Sequence, residues 1–242
     1  MSEQQYIIDE YVLGTLNQNK FIQKYKPNTI ILSIGGNDIG FADIVTKCVL
    51  SPMGNPCYRN RSERMSLLKM VYGKHEVMTS TYQKILSSAQ SGSRLYVVGY
   101  PQVVAREGSC GANVHLDDQE REFAVGLIDE INRTIKNAAE SVGAIYVDNS
   151  GSLIGHRLCD NHDDGVNGLT AGDDKTVPVY IKTGLFWSYM GNYGLGNESY
   201  HPTAFGHQLI AATIGRQTEG LKKPASSPTG SDRLAATGNE LF

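Results

Sequence analysis

Two segments of this 242-residue sequence carry residue types that could do chemistry together. The first is Gly-Gly-Asn-Asp at 35–38. Gly35 and Gly36 let a backbone approach a substrate closely, and the side-chain amide of Asn37 could donate to the oxyanion of a tetrahedral intermediate. One such donor is worth about 3–4 kcal/mol of transition-state stabilisation. Asp38 would cap the next turn and fix the loop. The second segment is Glu198-Ser199-Tyr200-His201-Pro202. Here an imidazole stands three residues after a carboxylate and just before a proline that can open a helix. That spacing suits a general base whose second ring nitrogen is oriented by an acceptor on its own loop. Taken singly, each segment also has a plain structural reading, the first as a turn and the second as a cap or surface histidine.

Alternating helices and strands must position these residues. Gln5 to Tyr25 reads as a helix ended by Pro27, and Thr29 to Ile34 is a β-branched run stopped by Gly35, hence a buried strand. A short helix is expected over Phe41 to Leu50 and a long one over Ser62 to Gln90, bent near Gly73. Leu95 to Val98 is a second strand. From about Asp117 to Val142 a helix places Phe123, Leu127, Ile131 and Ile135 on one face, and Ala144 to Val147 follows as a third strand. Strands separated by long helices pair in parallel through right-handed crossovers, with both sheet faces covered. The fold class expected is therefore α/β, a doubly wound parallel sheet, with the 35–38 turn at the carboxyl end of a strand, where such sheets bind ligands. Between Asn149 and Tyr200 the periodicity fails, as in a functional loop or lid that delivers the chain to His201. Pro202 to Ile214 closes the domain as a helix with proline at its first position. The domain is expected over 1–216, with 217–242 a flexible tail rich in Lys, Pro, Ser, Thr and Gly.

A net charge of −3 leaves no electrostatic footprint for nucleic acid. No apolar run is long enough to span a bilayer, and Met1 to Glu10 is not a secretory signal. Cys48 and Cys57 bracket a loop bearing Pro and Gly that would bring its ends together, leaving Cys110 and Cys159 as a longer-range pair. Four buried free thiols are the alternative. Two disulfides would imply an exported protein with its signal before Met1.

In this order and at this separation, the two segments resemble those of the SGNH hydrolases, the GDSL esterases and lipases. Gly-Gly-Asn-Asp at 35–38 is similar to that family's third block, and the carboxylate-x-x-His-Pro at 198–202 to its fifth. Ile-Gly-Gly-Asn-Asp-Ile-Gly-Phe at 34–41, Tyr-Val-Val-Gly-Tyr-Pro at 96–101 and His-Pro-x-Ala-x-Gly-His at 201–207 resemble secreted actinobacterial members. So does the arrangement of one short-loop and one long cysteine pair. The resemblance covers about Lys26 to Ile214 and implies a flavodoxin-like three-layer α/β/α fold. It also implies ester hydrolysis through a serine acyl-enzyme, with Asn37 and Gly36 in the oxyanion hole and His201 as base. Glu198 stands where the family usually has Asp, and some members use only a backbone carbonyl from that position. No metal or organic cofactor is implied, and the expected protein is a secreted or cell-surface monomer acting on a small-molecule, lipid or carbohydrate ester.

The family's first block, a Gly-Asp-Ser-like turn that supplies the nucleophile, has no counterpart here. Of the serines before Gly35, Ser2 adjoins the initiator and Ser33 falls inside the expected strand, and no Gly-x-Ser-x-Gly elbow occurs elsewhere. Gly14 is a poor second-block donor, too near Gly35. The expectation is an amino-terminally incomplete chain, inactive alone. The alternative is a non-catalytic surface module binding glycans or a protein partner. Leu-Ala-Ala-Thr-Gly at 234–238 resembles a sortase sorting motif for the cell wall. His156, Cys159, Asp160, His162, Asp163 and Asp164 cluster like metal ligands, but Ala171 stands where an EF-hand needs its closing acid, so a solvated loop is expected. Phe186, Trp187, Tyr189 and Tyr193 could wall a pocket or pack the loop down.

Overall fold

A computed structural model of the chain describes residues 11–12, 15–16, 18–36, 60–111, 114, 116–183, 186–196 and 198–219. Asn37, Asp38, Cys48, Cys57, the helix expected over Phe41 to Leu50 and the sorting-like motif at 234–238 lie outside them.

A three-stranded parallel sheet organises the described chain. Its strands β3 (Thr29–Leu32), β4 (Arg94–Val98) and β5 (Ile145–Val147) lie in that spatial order. The register pairs Ile31 with Tyr96 and Val97 with Tyr146. Strand alternation sorts β4 between two cores. Leu95 and Val97 join Leu32, Ile34, Val71, Met78, Tyr82, Ile85, Ile131 and Ile135 in the main core. Tyr96 and Val98 join Val147 and Ile214 on the opposite face.

The main core is roofed by α1 (Gln18–Tyr25), α2 (Arg61–Gly73), α3 (His75–Ser88) and α4 (Asp118–Ser141). The bend expected near Gly73 is the junction of α2 and α3 at Lys74. Helix α4 starts where the sequence places it, because Asp117 and Glu120 form a reciprocal capping box. The Asp117 carboxylate accepts the Glu120 amide at 2.8 Å, and the Glu120 carboxylate accepts the Asp117 amide at 2.7 Å. Two amides that helix geometry leaves without carbonyls are thereby satisfied.

Three expectations are corrected. Of the helix read over Gln5 to Tyr25, the described residues form a helix over Gln18–Tyr25, and residues 5–10 lie outside them. Before it, β1 (Tyr11–Val12) and β2 (Thr15–Leu16) pair antiparallel, Tyr11 with Leu16 and Val12 with Thr15, so part of the apolar spacing read as helical belongs to strands. The irregular segment read over Asn149 to Tyr200 contains a two-stranded antiparallel ribbon, β6 (Ala171–Thr183) and β7 (Phe186–Leu195), with Val177 opposite Tyr193 and Lys182 opposite Trp187. Pro178 is tolerated there because each strand of a two-stranded ribbon has an open edge. The closing helix α5 runs from Ala204 to Glu219, so Pro202 precedes it. Thr203 is its cap: its hydroxyl accepts the Gly206 amide at 3.0 Å.

Beyond the carboxyl ends of β4 and β5 the two loops fold onto each other around Val104, Val114, Leu153, Leu158 and Val166, with Tyr200, Leu209 and Ile210 packed against them. A parallel bridge joins Val104 to Leu158. The disulfide Cys110–Cys159 pins the same two loops together, and among the described residues no cysteine is free.

Candidate active site

His201 stands on a turn whose backbone is tied to the segment around Val166. Its amide donates to the Glu198 carbonyl at 3.1 Å, and its carbonyl accepts the Asn167 amide at 2.9 Å. Tyr200 donates its own amide to the Asn167 carbonyl at 3.1 Å, and Pro202 forms an antiparallel bridge with Val166. The His201 loop is thus paired, strand-like, with the segment around Val166. Thr203 completes the seam: its amide donates to the Gly165 carbonyl at 3.0 Å and its hydroxyl to the Asp164 carbonyl at 2.7 Å.

The His201 ring is exposed, and its Nδ1 lies 3.1 Å from the Ser199 carbonyl oxygen. A carbonyl can only accept, so this contact requires the proton on Nδ1 and leaves Nε2 as the basic nitrogen. The acceptor expected from the sequence was Glu198. Its carboxylate is exposed and makes no bond to the ring among the described residues; Glu198 supplies a backbone carbonyl to the His201 amide instead. Ser199 is also spoken for, since its Oγ accepts the Thr170 amide at 3.0 Å and lies 3.0 Å from the Thr170 hydroxyl.

Tyr200, between them, has a backbone φ of +61°. A bulky residue in the left-handed region carries a strain of about 1–3 kcal/mol that surrounding contacts must offset. Its phenol donates to the Val114 carbonyl at 2.7 Å, and burial pushes its pKa well above the usual tyrosine value.

At the end of β3, Gly35 has φ +109°. Gly36 donates its amide to the Tyr100 hydroxyl at 2.7 Å, and a Cβ at Gly36 would lie 2.8 Å from that oxygen. An oxyanion using the Gly36 amide would therefore compete with this phenol. Tyr100 is itself held by Asn132 on α4, whose amide mimics a strand: Oδ1 accepts the Tyr100 N–H at 2.7 Å and Nδ2 donates to the Tyr100 carbonyl at 2.8 Å. Ser33, expected inside the strand, follows its last residue and is exposed. The Gly35–Gly36 turn rests on Tyr100 and the His201 loop on residues 164–170.

Sequence reasoning missed Tyr100, Asn132, Thr203 and the Ser199 carbonyl. Asn132 left a signal, being an amide between Leu127, Ile131 and Ile135 on an apolar helix face. A backbone carbonyl leaves none.

The residues that clustered like metal ligands have separate engagements. Cys159 is in the disulfide. His156 Nδ1 lies 2.7 Å from an Asp164 oxygen, with its ring edge-on to Phe205 of α5. Asp160 accepts the Gly155 amide at 2.9 Å, the Arg157 amide at 3.0 Å and the Arg157 guanidinium at 2.9 Å. Burial works against the Asp160 carboxylate, but these donors outweigh it and hold its pKa below the ordinary range. No group of three or more metal-ligating side chains occurs among the described residues.

A family model described as the GDSL-like Lipase/Acylhydrolase family matches residues 12–209. The chain is 27% identical over 177 residues to Lipase 1 of Streptomyces coelicolor and 28% identical over 177 residues to a lipase of Streptomyces rimosus. Each alignment covers 73% of this chain and 55% of the relative, so the chain spans about half the length of the curated relatives it matches. Among solved structures, an extracellular lipase from Streptomyces rimosus superposes with a TM-score of 0.62 at 22% identity, over 83% of this chain and 73% of the other. A phospholipase A1 from Streptomyces albidoflavus gives 0.55 at 24% identity, over 82% of this chain and 75% of the other. These similarities show the α/β fold with its parallel sheet.

Proposed function

The chain belongs to the GDSL-like lipase/acylhydrolase family, and from that premise we propose that it carries the base half of a serine ester-hydrolase site whose nucleophile this sequence does not contain. The observation that carries the proposal is the His201 ring itself, exposed, with Nδ1 tied to the Ser199 carbonyl and Nε2 left to accept a proton.

In the reaction, a serine hydroxyl would give its proton to His201 Nε2 as its oxygen attacks the ester carbonyl. The imidazolium would then return the proton to the departing alkoxide, and water would release the acyl group by the same path. The Ser199 carbonyl performs the orienting role. Glu198, which the sequence offers as the third partner, acts in this proposal through its backbone. Asn37 and an amide of the Gly35–Gly36 turn take the oxyanion role, with Asp38 supporting their loop, on the strength of the motif. Ser199 has a structural engagement instead, its hydroxyl held by the Thr170 amide and hydroxyl.

The substrate class is a carboxylic ester, supported by the family and by the names of the lipases aligned above. An extracellular or surface setting is supported by the Cys110–Cys159 disulfide and by the extracellular relative.

The test joins this chain to the amino-terminal segment of one of those lipases and measures nitrophenyl ester hydrolysis. Turnover should appear in the joined protein, be absent from the chain alone and fall at least about 10³-fold in His201→Ala. A folded joined protein whose turnover survives that substitution would remove His201 from the reaction.

A further inference from the structure

We infer that Tyr200 is the positioning residue for His201, acting through a hydrogen bond to the Val114 carbonyl on a loop that the Cys110–Cys159 disulfide fastens down. The inference rests on the proposed role of His201 as base and adds to it the device that aims the ring.

The left-handed backbone at Tyr200 reverses the chain between Ser199 and His201, and it is this reversal that brings the imidazole back over the Ser199 carbonyl, two residues earlier. Glycine or asparagine would adopt that conformation with less strain, so a tyrosine there needs a compensating contact. The contact is long-range. The phenol crosses to Val114, a fully buried residue in the loop after β4, and donates to its carbonyl at 2.7 Å. Val114 closes a turn with Gly111, to whose carbonyl it donates at 3.0 Å, and Gly111 follows Cys110 directly. Across the disulfide, Cys159 follows Leu158, which exchanges backbone hydrogen bonds with Val103 and Ala105. A continuous path of hydrogen bonds and one covalent bridge thus runs from the sheet-end loops to the residue before the base. The Tyr200 amide is fixed independently by the Asn167 carbonyl, so its backbone is held from one side and its ring from the other.

The chain labelled with ¹⁵N-histidine tests this by long-range ¹H–¹⁵N spectra, at a pH where the imidazoles are neutral and with His201 assigned from its absence in His201→Gln. In the unsubstituted chain His201 should show the Nδ1–H tautomer. Tyr200→Phe keeps the ring and removes the bond, and Tyr200→Asn tolerates the left-handed backbone but is too short to reach Val114. Both should lose the Nδ1–H signature toward the mixture of an unconstrained imidazole, while the signals of His75 and His162 stay in place and certify the fold. Retention of the Nδ1–H form in both folded variants would overturn the positioning role. Absence of that form from the unsubstituted chain would instead defeat the assignment of His201 as an oriented base.

Discussion

At the scale of residues, the candidate site is built from backbone carbonyls used as acceptors, at Ser199 for the His201 ring and at Val114 for the Tyr200 phenol. The Ser199 acceptor was illegible in the sequence because a carbonyl has no residue type, whereas Glu198 advertises a carboxylate at a spacing that suits His201. The left-handed turn at Tyr200 was illegible for the same reason, since nothing in a tyrosine announces φ +61°. Asp160 provides a prediction in pH. Its carboxyl is held below the ordinary range in the folded chain. Its stabilisation is therefore present above the unfolded value of about 3.9 and is lost as pH falls through the lower, folded value. Thermal melts of the chain and of Asp160→Asn, taken between about pH 6 and pH 2.5, should converge as the medium becomes acidic. Curves that stay parallel throughout would show that Asp160 contributes nothing as an anion.

At the scale of elements, two close approaches decide where the functional turns sit. Gly206, in the first turn of α5, lies against Gly165; a Cβ there would fall 2.0 Å from the Gly165 carbonyl oxygen. Because that obstacle is backbone, Gly206→Ala should force α5 off the segment that pairs with the His201 loop. We expect a destabilisation of about 2 kcal/mol or more, read as a lower denaturation midpoint, together with loss of the Nδ1–H tautomer at His201. An unchanged midpoint would mean the seam is looser than its hydrogen bonds imply. Asn132 makes the second case, because its side chain satisfies both backbone groups of Tyr100 near the end of β4. Asn132→Leu keeps the volume and orphans that donor and acceptor, which should lower stability by about 1–3 kcal/mol in urea unfolding. The parallel strands themselves were legible, since Thr29 to Leu32 and Arg94 to Val98 are short apolar runs bounded by turn residues. The β6–β7 ribbon was not, because Pro178, Gly191 and Gly194 interrupt the alternation by which a ribbon is recognised.

At the scale of the whole molecule, two layers of helix and a covalent bridge hold a small parallel sheet whose site-bearing loops are a third core in their own right. The Cys110–Cys159 bridge spans a sequence separation of 49. In the chain-entropy model a loop of that size is worth about 4 kcal/mol. The double substitution Cys110→Ala with Cys159→Ala should lower unfolding stability by an amount of that order, and a loss below about 1 kcal/mol would indicate that the loop core holds without it. The even cysteine count made a disulfide legible, and spacing made Cys110 and Cys159 a pair, but only the fold shows that the bridge joins the loops beyond the carboxyl ends of β4 and β5. The central claim is that this chain holds the base and lacks the nucleophile, and intact-mass analysis after exposure to a serine-directed fluorophosphonate tests it most directly. The account predicts an unchanged mass. A stoichiometric adduct on any serine of this chain, with exposed Ser33 at the end of β3 the first to inspect, would contradict it.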